Sequence, residues 1–285
     1  MDKIRIIGGK PLNGSIRISG SKNSALPILA ATLISDKETL ITNIPNLSDI
    51  ELMIKLLQSL NVKIGFDGKY YSFKAKKPNS LIAPYELVRK MRASFLLLGP
   101  LIAKYGYAKV SLPGGCAIGI RPVDLHIRGL EKMGVKFRIE DGYVKGEVRG
   151  KLKGAEITFP RISVGATENI LIAAVLADGI TTIKNAAREP EIVDLANFLI
   201  SLGAEIKGHG TNKISIKGKK KLGGCEYKVM PDRIEAGTYA LSIFGCSGKV
   251  LLENVSKELS NHLMSIFSSI KSLEFKVMDN FNKLE

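Results

Sequence analysis

One order of elements recurs along this chain at a period of about 70 residues, and it narrows the possible folds more than any single segment does. A polar turn leads into a helix that is apolar on nearly every face. A short strand, an amphipathic helix and two closing strands follow. In the first copy Ser19-Gly20-Ser21-Lys22-Asn23-Ser24 precedes the apolar helix Ala25 to Ile34, and Thr39 to Thr42 is the strand. Asp49 then opens the amphipathic helix Ile50 to Leu60, and strands near residues 61–64 and 70–73 close the copy. A second copy over about residues 86–148 has its apolar helix at Ala93 to Ala103, a strand at Ala108 to Leu112 and its amphipathic helix from Pro122 to Met133. In a third, Ser163 to Asn169 precedes the helix Ile170 to Ala177, and Glu191-Ile192-Val193-Asp194 opens a helix ending at Leu202. A fourth begins at Pro231-Asp232-Arg233-Ile234-Glu235 and runs through Lys249 to Leu252. A helix without a polar face has to be buried. The copies therefore read as βαβαββ modules packed through their apolar helices, an α/β (α+β) architecture with no flexible linker.

The charge balance narrows the partners. There are 42 basic against 27 acidic residues, a net +15, yet aromatic residues make up only 6% and Trp is absent. Nucleic-acid surfaces gather their cations and add stacking rings; here the lysines are dispersed. The one dense run, Lys217 with Lys219, Lys220 and Lys221, reads as a solvated turn. Small anionic molecules are the better match, with no nucleic acid and no membrane among the expected partners. Cys116, Cys225 and Cys246 are widely spaced and contain no CxxC pair, and His126, His209 and His262 are scattered. Neither a disulfide framework nor a metal site is indicated, and a cytoplasmic location follows. Cys225 and Cys246 read as packing residues.

Cys116 differs from them. The strand ending at Leu112 runs into Pro113-Gly114-Gly115-Cys116-Ala117-Ile118-Gly119-Ile120, and Arg121-Pro122-Val123-Asp124 opens a helix. The glycines free the backbone, proline suits a first helical turn, and the thiol sits on a loop beside an arginine. Lys22 and Asn23 open an apolar helix, where the dipole favours an anion and disfavours a lysine. Something negative has to offset that lysine.

Taken together, these segments resemble the enolpyruvyl transferases, in the branch that acts on UDP-N-acetylglucosamine. The residues carrying the likeness are Ser19 to Asn23, Met91-Arg92-Ala93-Ser94, Pro113 to Cys116, Arg121 to Leu125, Ser163 to Thr167, Asn185-Ala186-Ala187-Arg188-Glu189-Pro190-Glu191 and Pro231 to Glu235. The resemblance implies two domains of three modules each, in an inverse α/β barrel with the helices inside. It places residues 22–229 in a complete domain, and residues 1–21 with 230–285 in an incomplete second one. It implies transfer of the enolpyruvyl group of phosphoenolpyruvate to the sugar 3-hydroxyl of UDP-N-acetylglucosamine, with release of phosphate and no cofactor or metal. This is the first committed step of peptidoglycan synthesis.

By the same resemblance Cys116 is the proton donor, the site of a covalent phosphoenolpyruvate adduct and the target of fosfomycin. Lys22 and Asn23 bind phosphoenolpyruvate. Arg92, Arg121, Pro122, Val123, Asp124, Leu125, Arg161, Ser163, Val164 and Gly165 bind the nucleotide sugar. Asp49 and Glu191 read as helix caps. Family members run well beyond residue 285, and the resemblance puts the base for the sugar hydroxyl in that further segment. Two rivals stand beside this reading: an inactive remnant that at most binds the nucleotide sugar, and an enolpyruvylshikimate-phosphate synthase.

Overall fold

The computed structural model describes residues 3–5, 7–35, 37–88, 91–112, 123–267, 277–278 and 283–284. It divides into two compact units, Lys22–Val229 and Met1–Ser21 with Met230–Glu285. The first strand, β1 (Leu12–Arg17), belongs to the smaller unit.

The larger unit begins with α1 (Lys22–Ala31), a 3-10 turn (Thr32–Ile34), β2 (Thr39–Thr42), α2 (Ser48–Ser59), β3 (Val62–Phe66) and β4 (Tyr71–Ala75). Next, α3 (Tyr85–Val88) leads to a 3-10 helix (Arg92–Leu97) that continues as α4 (Leu98–Tyr105), followed by β5 (Tyr107–Ser111), α5 (Asp124–Lys132), β6 (Lys136–Glu140) and β7 (Tyr143–Glu147). Last come β8 (Glu156–Thr158), α6 (Val164–Ala174), β9 (Ile180–Lys184), α7 (Pro190–Ser201), β10 (Glu205–Lys207), β11 (Lys213–Lys217) and β12 (Glu226–Lys228). The sheets run in the orders β12-β2-β4-β3, β5-β7-β6 and β8-β9-β11-β10. In the first and third, one edge strand is parallel to its neighbour and the other pairs are antiparallel. In the middle sheet, Ile82 alone pairs in parallel with Lys109.

The apolar helices occupy the centre. Ser24 to Ala31 of α1, Ala166 to Ala174 of α6, and Ser94 to Ile102 across the 3-10 helix and α4 are all buried, and these elements pack on one another. The amphipathic helices bury a single stripe instead, such as Ile50, Met53, Leu56 and Leu57 in α2. That is the outcome expected of the two helix types, since only a buried helix can dispense with a polar face.

Several expectations need correction. The helix expected from Ala93 to Ala103 is a 3-10 helix joined to an α-helix. Pro100 lacks the N–H that would bond the Leu96 carbonyl and its ring crowds that carbonyl, so the preceding turn tightens. The helix expected at Ile170 to Ala177 is α6, which starts six residues earlier and takes Thr167, Glu168 and Asn169 inside. Asp49 and Glu191 are not caps: Leu47 and Glu189 hold those positions, and Asp49 and Glu191 lie in the first turns.

Among the described residues an asparagine marks each of the three parallel strand pairs, β12 with β2, β8 with β9, and one in the smaller unit. Asn43, Asn185 and Asn254 follow β2, β9 and the matching strand of the smaller unit, all with φ between 56° and 58°. Each side-chain amide donates to a carbonyl just past the parallel partner strand: Asn43 to Val229 at 2.8 Å, Asn185 to Phe159 at 2.9 Å and Asn254 to Ile18 at 2.7 Å. Asparagine tolerates left-handed backbone, and its short amide reaches across the end of the pair. Asn185→Gly should keep the backbone and lose the bond, costing about 1 kcal/mol, whereas Asn185→Ala should lose both and cost about 2 kcal/mol. Urea unfolding of the two variants measures the difference, and equal losses would remove the backbone contribution.

The smaller unit adds α8 (Arg233–Cys246), β13 (Gly248–Glu253), α9 (Lys257–Phe267), β14 (Val277–Met278) and β15 (Lys283–Leu284) to β1. Its sheet order is β1-β13-β15-β14, with β1 parallel to β13. Asp232 caps α8 by accepting from the N–H groups of Ile234 (2.8 Å) and Glu235 (3.1 Å). α8 has the composition of a central helix, but Ile234 is 53% and Leu241 51% exposed, and the core rests on Ile18, Ala236, Ala240, Leu252, Val255 and Leu263. Cys246, expected to pack, is exposed; Cys225 is half-buried against the core of the larger unit. Among the described residues, no helix is long and apolar enough to cross a membrane.

Candidate anionic-substrate site

Of the residues singled out from the sequence, Cys116, Arg121 and Pro122 lie outside the described residues. The others all fall in the larger unit, at the starts of its helices.

α6 supplies the best-defined of these starts. Ser163 is its N-cap: the backbone is extended, the hydroxyl accepts from Ala166 N–H at 3.3 Å, and the carbonyl accepts from the Thr167 amide and hydroxyl. One orphan donor of the first turn is thereby satisfied. The N–H groups of Val164 and Gly165 have no acceptor among the described residues. They stand at the positive end of an 11-residue helix, which suits an anion.

Two side chains bring charge to this end. Arg161 forms an exposed ion pair with Asp124, Nη2 to Oδ1 3.2 Å, so two residues assigned to the same ligand meet each other directly. Arg92 opens the 3-10 helix and lies close enough to His126 for its charge to act on the ring. Val123 is the N-cap of α5 and Asp124 its first residue, whereas the Leu125 side chain is buried in the core.

Lys22 and Asn23 open α1, which packs on the 3-10 helix that Arg92 begins. The ammonium of Lys22 is 2.9 Å from Oδ2 of Asp49, which supplies the negative charge that a lysine at a helix start requires. The pair is about one-third exposed, so it holds the side chain in place more than it stabilises the fold.

Two residues in this region carried no signal in the sequence. His126 is one of three scattered histidines, and Asn169 sits in an apolar helix, yet they meet beneath the α6 N-terminus. Asn169 Oδ1 accepts from Gly99 N–H at 2.7 Å, and its Nδ2 reaches Phe95 O at 3.1 Å and His126 Nδ1 at 3.0 Å. His126 packs edge-on against Phe95, and burial with the nearby Arg92 lowers its pKa to about 4. Only the coincidence of α4, α5 and α6 reveals the cluster.

A cavity of about 700 Å³ lies at another part of the unit, among Ile34, Lys104, Tyr105, Lys151, Lys220 and Lys221. None of the site residues lines it. It sits where α4 and α6 end, and lysines there complement the negative helix termini.

The family signature described as EPSP synthase (3-phosphoshikimate 1-carboxyvinyltransferase) matches residues 6–280, nearly the whole chain. The chain belongs to the EPSP synthase family. Among curated members, UDP-N-acetylglucosamine 1-carboxyvinyltransferase of Shewanella amazonensis is 52% identical over 254 residues, covering 89% of this chain and 61% of the relative. The enzyme of the same name from Cellvibrio japonicus is 53% identical over 260 residues, covering 91% and 62%. The chain thus spans about three-fifths of the length of these relatives. A solved structure, the enolpyruvyl transferase NikO from Streptomyces tendae, superposes with a TM-score of 0.81 at 20% identity, covering 97% of this chain and 66% of that one. The fold is that of the enolpyruvyl transferases, with the mixed α/β modules read from the sequence.

Proposed function

We propose that this chain carries the nucleotide-sugar half of a UDP-N-acetylglucosamine 1-carboxyvinyltransferase, acting in the cytoplasm at the first committed step of peptidoglycan synthesis. The observation that carries the reading is identity above 50% to enzymes of that name across some nine-tenths of the chain. The cationic, donor-rich start of α6 beside Arg161 and Arg92 supports it, because both substrates are anions.

The reaction is an addition followed by an elimination. The sugar 3-hydroxyl gives its proton to a base as its oxygen bonds to C2 of phosphoenolpyruvate, while another proton reaches the methylene carbon and converts it to a methyl. Loss of a proton from that methyl and of phosphate from C2 then regenerates the double bond as an enol ether. Cys116 delivers the proton and also forms a thioether adduct with C2; a thiol suits both roles because it ionises near neutrality and its sulfur is nucleophilic. Lys22 and Asn23 hold phosphoenolpyruvate. Arg92, Arg121 to Leu125, Arg161 and Ser163 to Gly165 hold the nucleotide sugar, with no cofactor or metal.

Phosphate release from phosphoenolpyruvate and UDP-N-acetylglucosamine tests the reading, with shikimate 3-phosphate as the competing acceptor. Release that requires the nucleotide sugar, and that stops when fosfomycin adds one molecule to the Cys116 peptide by mass spectrometry, is expected. Release only with shikimate 3-phosphate, or an active enzyme that fosfomycin leaves unlabelled at Cys116, would contradict it. A second reading is binding of the nucleotide sugar without turnover. Calorimetric binding without phosphate release would select it.

A further inference from the structure

We propose that the cavity at the ends of α4 and α6 is a second anion site of the larger unit, and that it binds a nucleoside polyphosphate. The cavity holds about 700 Å³, and none of the residues assigned to the substrates lines it, so the inference does not rest on the proposed function. That volume falls in the range of small-molecule sites. Lys104, Lys151, Lys220 and Lys221 line it against the single carboxylate of Glu147. These four lysines come from three separate stretches of chain: the last turn of α4, the turn after β7 and the segment after β11.

The lysine run that reads from the sequence as a solvated turn is fixed at both ends. Gly218 N–H donates to Gly179 O at 3.0 Å and Lys219 N–H to Val175 O at 2.8 Å. Beyond the run Leu222 is buried, and Gly223 N–H donates to Leu202 O at 2.8 Å. The backbone passes so close to the end of α6 that a Cβ at Gly218 would lie 1.7 Å from the Ala177 carbonyl oxygen. The run then divides. Lys217 and Lys219 pair with Glu205 on β10, whereas Lys220 and Lys221 line the cavity and have no carboxylate partner among the described residues. Lys151 has none there either; it stands between Val148, whose N–H donates to Gly106 O at 2.9 Å, and the buried Leu152. The ammonium of Lys104 donates to Ser35 O at 2.7 Å.

The negative helix ends use little of this charge, because backbone donors already occupy their carbonyls. Ile102 O accepts from Gly106 N–H at 2.8 Å, Ala174 O from Ala177 N–H at 3.1 Å, and Val175 O from Lys219 N–H. Gathering like charges in one concavity is unfavourable without an anion, and the concave wall concentrates their field on whatever enters. The remaining wall includes the aliphatic Ile34, Ala103, Val148 and Leu176 beside Tyr105 and Tyr107. A ligand that matches both parts carries several negative charges at one end and a flat ring at the other. A polyphosphate satisfies the ammonium groups, and a base covers tyrosine and aliphatic surface. Glu147 can accept from the N–H or hydroxyl donors of the nucleoside.

Calorimetry of the 285-residue chain with adenosine triphosphate as the probe tests the assignment. Combined Lys151→Gln, Lys220→Gln and Lys221→Gln is expected to weaken binding by about 10-fold or more with an unchanged melting temperature. The same loss of charge at Lys74, Lys207 and Lys213, exposed on β4, β10 and β11, should change it by less than about 2-fold. No binding by the wild type, equal affinity in the folded cavity variant, or equal losses in the two triple variants would overturn the site. Inorganic triphosphate should bind about 10-fold more weakly than the nucleotide, and equal binding would overturn the nucleoside assignment. Saturating UDP-N-acetylglucosamine should leave the probe's affinity in place; displacement would put the probe among the substrate residues and refute the proposal. A chain that fails to bind UDP-N-acetylglucosamine but gives the other results loses the functional reading and keeps this one. Photolabelling of the wild type with 8-azidoadenosine triphosphate decides the matter if the cavity variant does not fold. Label in the peptides spanning Ala103 to Tyr107 or Val148 to Lys151 is expected, and label confined to other peptides would refute the site.

Discussion

Gly99→Ala is expected to destabilise the larger unit by about 3 kcal/mol or more, although alanine is the better helix former. A Cβ at this position would lie 2.2 Å from Asn169 Oδ1 and 2.5 Å from the Asn169 carbonyl oxygen. The second contact is with backbone, so no rotamer relieves it, and α4 and α6 have to separate. Separation would also lengthen the bond from Gly99 N–H to Asn169 and disturb the amide that orients His126. Gly245→Ala provides the contrast: it is exposed near the end of α8 with nothing within 4 Å of the added carbon. There the same change should be neutral or stabilise by up to about 1 kcal/mol. Urea unfolding of both variants measures the two effects, and similar values at the two glycines would contradict the close approach of α4 to α6.

Glu168→Gln is expected to make stability nearly independent of pH in the range where the wild type loses it. Glu168 is buried within α6, and burial, then the charges of Glu191 and Glu189, raises its pKa from 4.5 to about 8. The folded chain keeps the proton until about pH 8, while the unfolded chain releases it near 4.5. Between these values the folded state binds more protons, so stability falls as pH rises and the loss is complete above about pH 8. The cumulative effect is of the order of a few kcal/mol. Denaturation midpoints at pH 6.5 and pH 8.5, above most of the range in which His126 contributes, should separate for the wild type and converge for the variant. Parallel pH profiles would show that Glu168 does not carry the proton. A neutral Glu168 also suits the site, since a carboxylate inside α6 would oppose an anion at that helix's start.

His126 couples to pH in the opposite direction. Its folded pKa of about 4 lies below the ordinary value of 6.5, so the stability it contributes is present above that value and is lost as pH falls toward 4. The two groups together leave the larger unit best protected between the acid and alkaline limits.

Much of the architecture was legible because module composition has only one packing solution. α1 and α6 lack a polar face, and burial is the consequence wherever such helices fold. Lys22 illustrates how far local electrostatics carried: a cation at a helix start required a negative partner, and Asp49 is that partner. The prediction stopped short where distant residues decide. Pro100 divided a helix that apolar content alone made continuous. Glu168 and Asn169, which looked like a helix's polar preface, lie inside it because α4, α5 and α7 surround them.

The sequence by itself determined the repeated modules, the buried central helices and family membership, since each depends on residue order along the chain. Tertiary structure alone decided that Asn169 meets the buried ring of His126 beside Gly165, and that Glu168 keeps its proton. Both outcomes are set by the loss of water around groups brought together from separate helices, and separation from water is a property of the packed unit that no local run of residues encodes.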